Sequence, residues 1–124
     1  MSTVASSADV DISILRGQLS SPPRSLALPS GDEAVTLELS VRADGQPTDT
    51  VPVTWFEPTA EATSWEAGTE LVVIGRVRRR FFRAGGRTAS RTEVVAAHVL
   101  PVERRAVVRR RVERTLAEAR AATP

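Results

Sequence analysis

Arginines and aromatic rings at alternate positions carry most of the chemical potential of this 124-residue chain. In the run Leu71 to Phe82, extended backbone sends Arg76, Arg78, Arg80 and Phe82 to one face and Leu71, Val73 and Val77 to the other. Three guanidinium groups and a ring then form a charged platform. This combination suits a single-stranded nucleic acid, because arginine neutralises phosphates while a ring stacks on an unpaired base for ~1–3 kcal/mol per base. A second ring, Phe56, lies on the face away from Val51, Val53 and Trp55. The pattern alone leaves two readings open. Phe56, Arg76, Arg78, Arg80 and Phe82 form a nucleic-acid-binding face, or the arginines are a solvated face and the phenylalanines pack in a core or against another subunit. Arg79 and Phe81 have inward parity, which predicts a bulge or an exit from the packed sheet near Arg79.

Little else in the sequence reads as catalytic. The absence of cysteine excludes disulfides, thiolate zinc sites and cysteine nucleophiles. The single histidine, His98, sits in an apolar segment without a partner and reads as a structural strand residue. Asp9 with Asp11 and Asp32 with Glu33 lack the neighbours of an acid/base site, and solvated charge explains them. Trp55 and Trp65 read as core, the first by its alternation with apolar partners and the second by its place beside Gly68. The expectation is a protein that is not an enzyme and holds no metal or cofactor.

Where the charges lie says more than their total. All seventeen basic residues are arginine, so a net charge of only +2 coexists with a pI near 10.8. Residues 1–75 hold three arginines against eleven acids, a net of −8, whereas residues 76–124 hold fourteen against four, a net of +10. That polarity points to an anionic partner for the C-terminal part, a nucleic acid above all, although self-association of unlike halves satisfies it too. No apolar run approaches the ~20 residues of a membrane span, and Met1 to Ala8 lacks the basic start and apolar centre of a secretory signal. A soluble, cytoplasmic, single-domain protein is expected.

The elements that must position these residues follow from period and punctuation. Alternation over Val10 to Leu19, Val35 to Val41 and Thr50 to Phe56 predicts three strands. The proline-rich stretch Ser20 to Asp32 separates the first two as a loop or a wide hairpin connection, and Asp44 to Pro47 ends the second. Pro52 cannot donate to a ladder, which places it at an edge or a bulge. Glu57 to Ala67 fits one short helix closed by Gly68. Leu71 to Phe82 is a long fourth strand that turns at Ala84, Gly85 and Gly86 into a return strand ending at Pro101. Val102 to Ala122 is an amphipathic helix with a thin stripe of Val108, Val112, Leu116 and Ala119 and seven arginines, Arg104, Arg105, Arg109, Arg110, Arg111, Arg114 and Arg120. Its stripe packs on the barrel or on a second copy, and its arginines add phosphate affinity. The order predicts an all-β fold: a five-stranded OB-fold Greek-key barrel with one short helix between strands three and four, plus the C-terminal helix. Small barrels of other topology share the pattern. Residues 1–8 are expected as a flexible N-terminus, 9–101 as the OB-fold single-stranded DNA-binding domain and 102–124 as a basic helical extension.

The segments VDISILRGQLSSPP, LPSGDEAVTLELSVR, WEAGTELVVIGRVRRRFF and RTEVVAAHVLP follow one another with the order and spacing of bacterial single-stranded DNA-binding proteins. The resemblance spans about residues 9–101. It is most specific in Gly68, Thr69, Glu70 and Leu71 through Gly75, Arg76, Val77 and Arg78, followed by Thr92 to Val95. It implies an OB fold, single-stranded DNA bound without strong sequence preference in replication, recombination or repair, and a homo-oligomer, usually a tetramer, or a dimer. Phe56 and Phe82 match the family's stacking positions, whereas Thr50 stands where a tryptophan is often found and the Val41 to Thr50 connection has no aromatic. Fewer platforms imply weaker binding or a smaller footprint, with a larger electrostatic share. Relatives serving replication carry an acidic tip that recruits other proteins; this sequence ends in a basic helix, which puts recruitment in doubt and suits an accessory or diverged member. The rival expectation is an OB-fold protein-interaction or assembly subunit that has lost DNA binding, and an RNA-binding OB domain is a nearer alternative.

Overall fold

Alternation of apolar and polar side chains over half-buried segments gives strands that curl around one core. The structure, a computed structural model, describes residues 9–123; the flexible N-terminus expected for residues 1–8 lies outside the described residues. Its elements are β1 (Ser13–Leu19), β2 (Arg24–Ala27), β3 (Glu33–Val41), β4 (Asp49–Trp55), a 3₁₀ turn (Ala60–Ser64), β5 (Glu70–Ala84), β6 (Arg87–Pro101) and the helix α1 (Arg105–Ala121). β1 pairs antiparallel with β5 and, at Gln18 and Leu19, with β3; β3 pairs with β4, β4 runs parallel to β6 from Val53 to Trp55, and β6 pairs with β5. The ring β1-β3-β4-β6-β5 therefore closes on itself as the Greek-key barrel of an OB fold.

The odd-numbered residues of the first three barrel strands point inward. Leu19, Leu37, Leu39, Val53, Leu71 and Val73 are fully buried, and Trp55 joins them, its ring stacked on Trp65 at 6.0 Å between centroids. Val10 and Ile12, just ahead of β1, and Ile14 within it are exposed, while Leu15 and Leu19 face the core. Gly17 and Gly75 mark the closest crossings of the barrel wall, where a Cβ would run into the carbonyl oxygens of Ser40 and Val95. Opposite Gly75, Ala97 is an extra residue in β6, because Ile74 pairs with His98 but Gly75 with Ala96. This bulge switches the inward parity from Val94 and Ala96 to Val99 and Pro101.

Beyond Val77 the β5–β6 hairpin leaves the barrel as an exposed arm, which is the exit expected near Arg79. Gly85 and Gly86 close it with φ of 57° and 79°, the two positive values a type I′ turn requires.

The strand count needs correcting: there are six among the described residues, not five. The sixth, β2, lies in the proline-rich stretch read as a loop or a wide hairpin connection. All four of its residues are exposed and it pairs only with β3, so no burial period betrays it. The short helix expected over Glu57 to Ala67, between the third and fourth of five strands, is also absent as such. Only the 3₁₀ turn forms there, burying Ala62 beneath the tryptophan pair. The direct connection between β3 and β4 carries no helix either.

α1 lies against the outer face of β6. Thr115 is its buried residue, flanked by half-buried Val108, Arg111, Val112 and Ala119, whereas Leu116, expected in the stripe, is 40% exposed. Arg104, the residue before the helix, anchors it by a bidentate pair with Glu61 of the 3₁₀ turn, Nη1 donating to Oε1 at 2.9 Å. That pairing raises the Arg104 pKa. No helix among the described residues is long and apolar enough to cross a membrane.

Candidate nucleic-acid interface

A groove of about 400 Å³ runs over the outer face of β3 and β4, between the β2 segment on one side and the base of the β5–β6 arm on the other. Even-numbered residues of the barrel strands make its floor: Thr36, Glu38, Pro52, Thr54 and Phe56. Ser21, Pro22, Arg24, Leu26 and Leu28 form one wall, and Arg78, Arg80, Arg91 and Glu93 the other. The same pleat that turns Val53 and Trp55 into the core turns Thr54 and Phe56 into the groove.

Glu93 organises the far wall. Its side chain is 2% exposed, yet it keeps company that justifies a buried carboxylate. Oε2 accepts from Arg78 Nε at 2.8 Å and lies 2.7 Å from Nη2; Oε1 accepts from Thr54 Oγ1 at 3.2 Å and is 3.5 Å from Arg80 Nε. Held this way, the Arg78 guanidinium sits 5.3 Å over the ring of Phe56, and that of Arg80 sits 5.3 Å over Phe82. Each contact is a cation–π pair worth ~0.5–1 kcal/mol where exposed. Across the floor Arg91 Nη2 donates to both carboxylate oxygens of Glu38, at 2.9 and 3.3 Å. Four arginines and two carboxylates leave the groove with a net charge of +2.

Of the five residues singled out by sequence, the groove brings together Phe56, Arg78 and Arg80. Phe82 shares their face but lies further out on the arm, 36% exposed. Arg76 pairs with Val95 at the other end of the face, where it lines a second cleft with His98, Arg111 and Glu118. Sequence reasoning missed the groove's other charged members, Arg24, Glu38, Arg91 and Glu93, and it missed Phe81. That ring had inward parity, but on the arm there is no inside, and it is 65% exposed. Arg78, Arg79, Arg80, Arg83, Arg87 and Arg91 give the arm six positive charges against Glu93 alone. Among the described residues no group of His, Asp or Glu is placed to hold a metal ion.

No protein-family model and no curated protein matches the sequence. Solved structures do match the fold. The SSB of Plasmodium falciparum in complex with ssDNA superposes with a TM-score of 0.66 at 15% identity, over 78% of this chain and 98% of that one. This fold is that of the single-stranded DNA-binding proteins. A deletion variant of the single-stranded DNA-binding protein from Thermus aquaticus superposes with a TM-score of 0.61 at 27% identity, over 74% of this chain. The match covers 40% of that longer Thermus chain. An SSB-like barrel accounts for the ring of five strands; α1 is packed onto its outside.

Proposed function

We propose that this protein binds single-stranded DNA without strong sequence preference, by arginine–phosphate contacts and base stacking. The observation that carries the reading is the position of the groove. OB folds bind oligonucleotides on the face of their second and third barrel strands, between the loop joining strands one and two and the loop joining strands four and five. Here β3 and β4 are that face, the β2 segment is the first loop and the β5–β6 arm is the second. That place holds four arginines and Phe56, with Phe81 and Phe82 on the arm above. The solved neighbours, described as an ssDNA complex and a single-stranded DNA-binding protein, support the same reading.

Arg78, Arg80 and Arg91 neutralise phosphates, Phe56 and Phe82 stack on bases, and Arg76 extends the contact along β5. No catalytic step, cofactor or metal belongs to this function. The protein acts in the cytoplasm, on strands exposed in replication, recombination or repair, as a homo-oligomer of four or two copies. The exposed Val10, Ile12, Ile14 and Val77 are apolar surface that such an assembly would cover.

One observation favours a second reading, an assembly subunit that does not bind DNA: Arg78, Arg80 and Arg91 already have carboxylate partners. Fluorescence anisotropy on labelled oligo-dT and on a duplex of equal length, across a salt series, separates the two. Preference for the single strand with a log–log slope of about −0.7 per phosphate supports DNA binding. The triple substitution Arg76→Glu, Arg78→Glu, Arg80→Glu then removes affinity and leaves the oligomer unchanged. No binding by the unaltered protein at low salt supports the assembly subunit.

A further inference from the structure

A second basic site lies at the opposite end of β6. The outer face of this strand carries Glu93 in the groove and then, past Val95 and the bulge, His98 and Leu100. At ~3.3 Å per residue the two ends are roughly 15 Å apart on one continuous surface. Over His98 and Leu100, α1 and the strand enclose a cleft of about 260 Å³ whose remaining lining is Val107, Arg110, Arg111 and Arg114. No carboxylate among the described residues lines it. Unlike Arg78, Arg80 and Arg91 of the groove, these three have no salt-bridge partner within 4 Å among the described residues.

The helix that supplies them lacks an acid in its first turn. Arg104, ahead of the helix, is paired with Glu61, but α1 itself begins with Arg105 and has no side-chain cap, so no side chain of the helix offsets its positive end. A helix stabilised by its own side chains would carry acids there. Between cleft and groove lies Arg76, which shares the intervening cleft with His98, Arg111, Asp11 and Glu118. Basic groups therefore run along the β5–β6 surface from Arg80 and Arg78 through Arg76 to Arg111, Arg110 and Arg114.

Building on the DNA-binding reading, we infer that the cleft between β6 and α1 is a second phosphate site, in which Arg110, Arg111 and Arg114 take the backbone of a strand that has left the groove past Arg76. Among the described residues the cleft has no phenylalanine or tryptophan, so it grips mainly the backbone. It lengthens the footprint of each barrel and adds to the salt dependence, while the groove supplies the preference for single strands.

His98 is the sole histidine of the chain and a built-in reporter, because its imidazole lies in the cleft. Burial and Arg111 lower its pKa, and Glu118 opposes them; Asp11, Arg76, Arg110 and Arg114 are the other charged groups lining the spaces around it. A phosphate bound there raises that pKa. The test follows the His98 ring proton by NMR across pH, alone, with oligo-dT of about 8 nucleotides and with oligo-dT of about 30, lengths chosen to fill one OB groove and to exceed it. In parallel, both oligomers are titrated against the triple variant Arg110→Gln, Arg111→Gln, Arg114→Gln.

The long oligomer alone is expected to raise the His98 pKa. The variant should bind the short oligomer as the unaltered protein does, and the long one with a slope shallower by roughly 0.7 for each phosphate lost. An unmoved His98 resonance with a saturating long oligomer overturns the inference even if the variant misfolds. A wild-type slope in the folded variant overturns it as well, while leaving the groove's function intact. If the unaltered protein binds neither oligomer, the DNA-binding reading itself fails. A His98 response to polyglutamate but not to oligo-dT would reassign the cleft to an acidic protein partner and overturn the phosphate site.

Discussion

Glu93 presents the sharpest test of how the groove works, since a buried acid in the wall of a DNA-binding groove both holds and opposes the arginines beside it. Glu93→Gln keeps the shape and an acceptor for Thr54 but removes the charge. A phosphate on the outer edge of Arg78 would sit about 8 Å from the Glu93 carboxylate, and unit charges at that distance repel by ~0.5 kcal/mol at a dielectric of 80 and ~2 kcal/mol at 20. Neutralising Glu93 should therefore tighten binding to oligo-dT by roughly 2- to 30-fold at low salt. It raises the net charge of the groove from +2 to +3, so the salt slope should steepen by about 0.7.

The same substitution should weaken the fold. Removing one partner of a fully buried ion pair costs ~3–5 kcal/mol, but Arg78 and Arg80 are 29% and 45% exposed and can turn to water, so about 1–2 kcal/mol is expected here. For a chain of this size that lowers Tm by roughly 3–10 °C. Anisotropy across a salt series and thermal unfolding followed by circular dichroism measure both effects. The reasoning is refuted if Glu93→Gln binds more weakly with an unchanged slope. Holding Arg78 over Phe56 would then matter more than the charge.

Three further outcomes follow from single residues. Phe56→Ala should cost ~1–3 kcal/mol in affinity for oligo-dT, roughly 5- to 150-fold, with little change on duplex; equal losses on both would deny it a stacking role. Gly75→Ala places a methyl against the carbonyl of Val95 at the bulge, and about 2–3 kcal/mol of stability should be lost in urea unfolding. A wild-type urea midpoint would mean that the wall gives way easily at that crossing. His98 is held below its ordinary pKa, so the unfolded chain takes up the proton more readily than the folded one. The stability this contributes is fully present above pH ~6.5 and is lost as pH falls through the window below it. Tm should fall between pH 7 and pH 5.5, and His98→Gln should flatten that slope; an equally steep profile would assign the pH dependence to other groups.

What the sequence made legible is what alternates between core and water. Val35 to Val41 and Val51 to Trp55 read correctly as strands because one face of each is buried and the other is not. Where both faces are wet the period vanishes. β2 was invisible for that reason, and on the arm beyond Val77 parity signalled the exit from the barrel but not that Phe81 would stand exposed beside the groove. Phe56, Arg78 and Arg80 were found by parity and do converge. Glu93 was within reach by another signal. Counting outward from a two-residue turn at Gly85 and Gly86 pairs Ala84 with Arg87 and, six rungs on, Arg78 with Glu93. Closure of the barrel, which brings Thr54 to the same carboxylate, depends on the parallel pairing of β4 with β6, and no local pattern encodes it.

The two basic sites differ in a way that assigns them different work. In the groove each arginine but Arg24 is already tied to an acid, and two are laid over aromatic rings. Fixing a guanidinium in advance spares up to ~2 kcal/mol of side-chain entropy when a ligand arrives, at the cost of a weaker local field. Such a site selects geometry: bases that can lie flat and phosphates that can meet a fixed fork. Under α1 the arginines have no acid partner among the described residues, so they offer a stronger field and little geometric choice. A strand would then be selected in the groove and retained in the cleft. Raising the salt should strip the cleft contacts first, so the footprint on long oligo-dT should shrink before the preference for single strands is lost.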